Sequence, residues 1–223
     1  MPRESLVDKK TRVGKIIRRL RRRYPDAKCS LGFNNVHQLM VATILSAQCT
    51  DERVNVVTPA LFERFKSVRD FAEAGQQEIE KLVYTTGFYV NKAKAIKMSA
   101  QQVIERHNGE VPRTLAELTR LTGVGRKTGS VILGVGYGLA EGIVVDTHVA
   151  RISRLLGLTS NSDPEKIEQD LIKVVPRSDW IDWSHLMIYH GRAVCVARRP
   201  DCPNCPVRML CPSAKVESGQ NIL

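Results

Sequence analysis

LTGVGRKTG, residues 121–129, lies between two predicted helices and contains the turn on which the fold prediction depends. Gly123 and Gly125 stand two positions apart, which permits a tight turn with positive φ and no side chains in the way. Backbone N–H groups at such a turn, placed at a helix start, form a phosphate-binding site. Arg126 and Lys127 follow directly. We expect this turn to bind a nucleic acid backbone, and a plain connection between helices is the alternative.

Lys127 is the residue in this turn with the most specific chemistry. It stands in the first turn of a predicted helix, where the positive end of the helix dipole and the neighbouring Arg126 both disfavour an ammonium ion. A neutral amine can attack an electrophilic carbon and form a Schiff base. The sequence therefore predicts either a nucleophile or, with equal weight, a lysine that binds phosphate.

A carboxylate follows three β-branched apolar residues in Ile143-Val144-Val145-Asp146. The simplest interpretation of Asp146 is a helix N-cap that accepts backbone N–H bonds. An ionised and rigidly held carboxylate can also stabilise a developing sugar cation or orient water. His148 follows two residues later, and by itself it is typical of a structural histidine.

Four of the six cysteines crowd into 17 residues near the end of the chain. They follow a C-x6-C-x2-C-x5-C spacing and are Cys195, Cys202, Cys205 and Cys211. This clustering predicts a metal site. Zinc is the generic metal for four thiolates, but the longer spans also suit an iron–sulfur cluster, and the spacing leaves both open. Arg198 and Arg199 lie between the first two cysteines, which suits a phosphate clamp.

The composition describes a basic globular protein. The chain has 223 residues, 34 Lys and Arg against 23 Asp and Glu, and a net charge of +11. Residues 1–28 alone carry +8, so a polyanionic partner is expected. No stretch is apolar enough to span a membrane, and the N-terminus lacks the apolar segment of a signal peptide.

The hydrophobic pattern predicts an all-α protein, because a 3.6-residue period recurs and period-2 alternation is nearly absent. A first amphipathic helix is predicted from an apolar stripe that runs from Val13 to Tyr24, and Thr114, Asp146 and Asp163 are predicted to open three others. The remaining helices are predicted over 35–47, 51–65, 68–74, 76–84, 91–107, 126–139 and 182–194.

These motifs together resemble the endonuclease III family of helix-hairpin-helix DNA glycosylases. The resemblance covers about residues 10–213 with order and spacing kept. It is carried by LSAQCTD at 45–51, TGFYVNKAKAI at 86–96, LTGVGRKTG at 121–129, VVDTHVARISRLLGL at 144–158, HGR at 190–192 and the four cysteines.

The resemblance implies two α-helical domains with the DNA cleft between them. One is a six-helix barrel over 29–140, and the other joins 1–28 to 141–223 and holds a 4Fe–4S cluster on the four cysteines. The implied partner is double-stranded DNA with damaged bases or abasic sites. A monomer in the bacterial cytoplasm, associated with the nucleoid and not with a membrane, is expected.

The resemblance also assigns roles to single residues. The catalytic lysine of the family falls on Lys127 and its catalytic aspartate on Asp146. The positions that fill the gap left by a flipped base fall near Gln48 and on Phe88, where the family usually has an aliphatic residue, and Cys49 replaces the usual alanine. The full set of implied DNA contacts is Gln48, Phe88, Gly123, Val124, Gly125, Arg126, Thr128, His148, His190, Arg198 and Arg199.

The implied activity is removal of oxidised pyrimidines, followed by strand cleavage through a lysine Schiff base and β-elimination. Adenine glycosylases resemble the chain but lack the lysine, and their glutamate aligns near Thr43, which cannot act as an acid. Two other hypotheses remain: a lysine-independent glycosylase with little lyase activity, and a DNA-binding module without catalysis.

Overall fold

A computed structural model describes residues 4–214, and all regular elements in that range are helices, as predicted. The α-helices are α1 (Leu6–Arg23), α2 (Val36–Leu45), α3 (Asp51–Arg64), α4 (Val68–Glu73), α5 (Gln76–Val83), α6 (Tyr89–His107), α7 (Leu115–Leu118), α8 (Arg126–Val131), α9 (Thr147–Leu155), α10 (Pro164–Leu171) and α11 (Trp180–Ala193). None of these described helices is long and apolar enough to cross a membrane.

The chain divides into two compact units. One unit is contiguous and runs from Cys29 to Glu141, and the other combines Met1–Lys28 with Gly142–Leu223. The second boundary falls one residue after the boundary expected from the sequence.

The contiguous unit is organised around α6, which packs against α2, α4 and α5. Its core is built from side chains with no exposed surface on several helices, among them Ile79, Ile96 and Leu118. Burial of this kind stabilises by about 1.5–3 kcal/mol per large aliphatic side chain.

The discontinuous unit is held together by α1, which packs on α11, while α9 packs on the same helix. The apolar stripe of α1 is buried, with Ile16 and Leu20 at 0% exposure. Part of its basic face serves the fold: Arg12 donates to the Leu156 and Leu210 carbonyls, and Arg21 pairs with Asp179 and Asp182. The positive charge of α1 is therefore not all available to a polyanion.

Helix starts agree closely with the capping residues of the sequence. Thr114, Asp146 and Asp163 each accept a backbone N–H at the beginning of a helix. The prediction of one helix over 126–139 needs correction, because α8 gives way to a π-helical turn at Ile132–Gly136. Hydrophobic periodicity does not distinguish these two windings.

Candidate functional site

The turn between α7 and α8 depends on close packing at its first glycine. Gly123 has φ +81°, and a Cβ on it would lie 2.6 Å from the Cβ of Ala95 in α6. The next side chain, Val124, is 4% exposed, and its N–H donates to the Leu121 carbonyl at 3.1 Å. Val124 therefore closes the turn from the inside. Its amide is already hydrogen-bonded, so the expected contact of Val124 with DNA is corrected.

Gly125 behaves differently from Gly123. Its φ is −82°, so the positive φ of the turn is at Gly123 and not at Gly125. Gly125 is the N-cap of α8 without a side-chain hydrogen bond, and nothing lies within 4 Å of where its Cβ would stand. An uncapped helix start with open space beside it is a suitable anion site.

Lys127 and Arg126 are exposed in the first turn of α8, and Thr128 is half-buried. Gly129 completes the motif for a reason the sequence did not reveal: a Cβ there would lie 2.8 Å from Cδ1 of Leu115 in α7. The two helices of the hairpin therefore meet at Gly129. This contact holds the first turn of α8, with Lys127 on its surface.

Gln48 and Phe88 share an unusual backbone conformation. Among the described residues, three non-glycine residues have positive φ: Gln48 at 53°, Phe88 at 49° and Asn108 at 53°. Asn108 is the C-cap of α6, where this conformation is common. Gln48 and Phe88 are instead exposed, Phe88 to 65%, just after α2 and just before α6. Strained, exposed residues of this kind are concentrated at functional sites.

Asp146 is half-buried and caps α9. Its Oδ1 accepts the N–H of Val149 at 2.8 Å. The preceding segment is attached to α11, because the Ser184 hydroxyl donates to the Val144 carbonyl at 2.9 Å. The carboxylate is therefore rigidly held, as both interpretations of Asp146 require.

His148 lies against α11 two residues after Asp146. A Cβ on Gly191 would stand 2.3 Å from the Nδ1 atom of His148, so the glycine of the HGR sequence makes room for this ring. Nδ1 is buried without a hydrogen-bond partner among the described residues. Burial lowers the pKa of His148, Asp146 opposes the shift, and Arg151 adds to it.

His190 is not placed to contact DNA, and this expectation is corrected. The side chain is 1% exposed, with Nδ1 3.1 Å from the Tyr24 hydroxyl and Nε2 3.6 Å from Sγ of Cys205. Burial, with a smaller contribution from Arg151, lowers its pKa to about 4. His190 supports the cysteine-bearing segment from within the unit.

The four cysteines of the predicted metal site line one cavity of about 120 Å³, whose walls include the apolar side chains of α9. Burial and the neighbouring cysteines raise the pKa of the Cys205 and Cys211 thiols. Besides His190 at Cys205, two further polar groups reach the sulfurs: Arg151 Nη1 lies 3.6 Å from Cys195 Sγ, and the Cys211 thiol donates to the Leu155 carbonyl at 3.5 Å.

This donor set fits a metal group of several atoms. A single zinc ion would draw four sulfurs to about 2.3 Å from one point. The cavity instead lies between the thiols, and Arg198 and Arg199 are exposed on the loop that joins its first two cysteines.

Comparison with known proteins defines the class of this chain. Residues 41–177 match the family described as HhH-GPD superfamily base excision DNA repair protein. This match includes the hairpin turn, Lys127 and Asp146.

Relatives narrow the assignment. The chain is 50% identical to an endonuclease III of Synechocystis over 95% of its length and 96% of the relative, and 42% identical to that of Bacillus subtilis over 84% and 86%. A solved structure of an endonuclease III trapped as a covalent intermediate with DNA matches with a TM-score of 0.85 and 39% identity, over 92% of this chain and 96% of that one. The chain therefore belongs to the endonuclease III family of the HhH-GPD superfamily.

Proposed function

We propose that this enzyme, a DNA glycosylase and AP lyase of base excision repair, removes oxidised pyrimidines with Lys127 as its nucleophile. The observation that carries the proposal is the exposed Lys127 in the first turn of α8, directly after the hairpin turn. The trapped covalent complex of an endonuclease III with DNA supports a nucleophile of this kind.

DNA binding uses three parts of the chain in this proposal. Phosphates approach the open start of α8 at Gly125, where no side chain caps the helix. Arg198 and Arg199 add exposed positive charge from the cysteine-bearing loop. Gln48 and Phe88 enter the stack when the damaged nucleotide leaves it, as apolar and polar wedges do in other proteins that open DNA.

The chemistry proceeds at the sugar of the extruded nucleotide. The Lys127 amine attacks C1′, the bond from C1′ to the base breaks, and the base leaves with a proton. Asp146 stabilises the positive charge that develops on the sugar. The nitrogen lone pair then breaks the C1′–O4′ bond, and O4′ takes the remaining amine proton. The imine that forms between Lys127 and C1′ acidifies the C2′ hydrogen. Loss of this proton breaks the C3′–O bond, which cleaves the strand on the 3′ side.

We further propose that Cys195, Cys202, Cys205 and Cys211 hold a 4Fe–4S cluster. When bound, this group would cross-link the terminal segment and supply redox-active iron. His190 and Arg151 contact two of the cysteine sulfurs and would orient the thiolates that hold the cluster. The loop with Arg198 and Arg199 would then be fixed at both ends. Iron and sulfide analysis of the purified protein tests this, since stoichiometric zinc without sulfide would contradict it.

Borohydride trapping on a duplex with an abasic or oxidised pyrimidine site tests the proposed function. Borohydride reduces the imine, so the wild-type protein forms a covalent adduct with DNA. Lys127→Gln abolishes the adduct, and Lys94→Gln, at an exposed lysine of α6, retains it.

Two other outcomes would favour the remaining hypotheses. Base release without an adduct in the wild type indicates a lysine-independent glycosylase. Tight binding with neither activity indicates a DNA-binding module. The proposed bacterial cytoplasmic location is supported by the bacterial relatives, and sedimentation of the purified protein checks the proposed monomer.

A further inference from the structure

Lys92 is a buried lysine that the mechanism does not use. It lies in the first turn of α6 and is 5% exposed. Its Nζ donates to the Leu45 carbonyl at 2.8 Å and to the Thr86 carbonyl at 2.7 Å. The Leu45 carbonyl lies at the end of α2, and the Thr86 carbonyl lies just before α6. One ammonium group therefore joins two separate turns.

The energetics indicate a specific role for this arrangement. Burial disfavours an ammonium ion and lowers the pKa of Lys92. The cost is offset because Leu45 is the last residue of α2, where carbonyls lack helical partners and a cation is favourable. A methionine of similar length would fill the same space without the desolvation cost, but it would leave both carbonyls unsatisfied.

The two carbonyls that Lys92 binds lie two or three residues before the two exposed residues with positive φ. Leu45 precedes Gln48 by three residues, and Thr86 precedes Phe88 by two. The residues that hold positive φ are therefore anchored on one side by a shared donor.

We propose that Lys92 is a positioning residue that sets the spacing between Gln48 and Phe88, so that both side chains can fill the gap left by an extruded nucleotide. The proposal rests on the proposed function and adds to it a residue that touches neither the DNA nor the reacting atoms. Lys92 acts through the two turns that it joins, and its contribution should depend on the presence of both wedge side chains and of an opposite strand.

The first test compares two substrates for Lys92→Met. On duplex DNA with an oxidised pyrimidine, the single-turnover rate of base release should fall between about tenfold and a hundredfold, as expected for a displacement near 1 Å. On a single-stranded abasic oligonucleotide, where no stack has to be opened, strand cleavage should stay within about twofold. Lys94→Met, on the exposed face of the same helix, should change neither rate.

The second test uses the wedge residues themselves. In a Gln48→Ala, Phe88→Ala background, Lys92→Met should lower the duplex rate by less than about twofold, because a residue that acts through others adds nothing once they are gone. A full additional loss in this background would overturn the proposal. So would a proportional loss on single-stranded DNA, which is the result expected of general structural damage.

The remaining outcomes are also decisive. If the wild-type protein neither releases the base nor cleaves the strand, the proposed function is refuted, and the role of Lys92 falls with it. If Lys92→Met does not fold, Lys92→Gln, which keeps a shorter donor, is measured in the same way, and a duplex rate equal to that of the wild type would overturn the proposal.

Discussion

Gly191→Ala should destabilise the protein although it replaces a glycine inside a helix. Helix propensity alone favours alanine over glycine by about 1 kcal/mol. Packing opposes the change, because the new Cβ would stand 2.3 Å from Nδ1 of His148 and 3.1 Å from Cδ1 of Ile152. The imidazole must move by about 1 Å before an ordinary contact distance is restored.

The size of the effect follows from these two opposing contributions. Insertion of a methyl group into a packed interior costs about 1–3 kcal/mol, so after the gain in helix propensity the net loss in unfolding free energy is at most about 2 kcal/mol. His148 lies two residues after Asp146 in the first turn of α9. A displacement of about 1 Å at this helix start should lower the trapping rate by up to about a hundredfold.

Urea unfolding followed by circular dichroism measures the stability, and single-turnover borohydride trapping measures the rate. Gly14→Ala is the matched control, since it lies inside α1 of the same unit and the nearest contact of its Cβ is 3.8 Å from Arg18. It should stabilise by about 1 kcal/mol. The reasoning is refuted if Gly191→Ala is as stable as Gly14→Ala and traps DNA at the wild-type rate.

Three further changes have defined outcomes. Asp146→Asn keeps an oxygen that can accept the Val149 N–H, so the unfolding free energy should change by less than about 1 kcal/mol. Base release should slow by about a hundredfold, because the charge that stabilises the sugar cation is lost. A rate of base release equal to that of the wild type would contradict this prediction. Burial lowers the pKa of His37 to about 4, so below pH 6.5 the unfolded chain binds a proton that the folded chain excludes. The contribution of His37 to the unfolding free energy should fall by about 2 kcal/mol between pH 7.5 and pH 5, and His37→Leu should lose that much less stability than the wild type in urea titrations at the two pH values. Arg198→Ala and Arg199→Ala should each reduce the salt dependence of DNA affinity by about one counterion, and an unchanged slope in binding titrations would exclude a phosphate contact.

The elements of the fold that local chemistry determines could be predicted from the sequence. Thr114, Asp146 and Asp163 open helices because their side chains satisfy nearby amides, and such contacts span only three residues. The apolar stripe of α1 likewise faces the core, as its spacing indicates. The Asn108-Gly109 pair ends α6 in the left-handed conformation that these residues tolerate best.

Contacts between distant segments could not be predicted in the same way. His190 belongs to a motif attributed to DNA binding, yet its partners Tyr24 and Cys205 place it in the interior. A lysine such as Lys92 is normally expected on the surface. It is buried here because it binds the carbonyl of Leu45, which is 47 residues away in the sequence. One signal was present, because Lys92 continues the spacing of the buried residues Ile96 and Val103 along α6.

The glycines of the sequence motifs separate into two groups once their surroundings are known. Gly123, Gly129 and Gly191 each face a side chain of another helix at less than 3 Å from where a Cβ would stand, so packing accounts for them. Gly125 has open space and a φ that any residue could adopt. Neither strain nor a neighbour in the described chain requires glycine at this helix start. Glycine is tolerated at an N-cap, and the open space beside it suits the contact with the DNA backbone that we propose at Gly125.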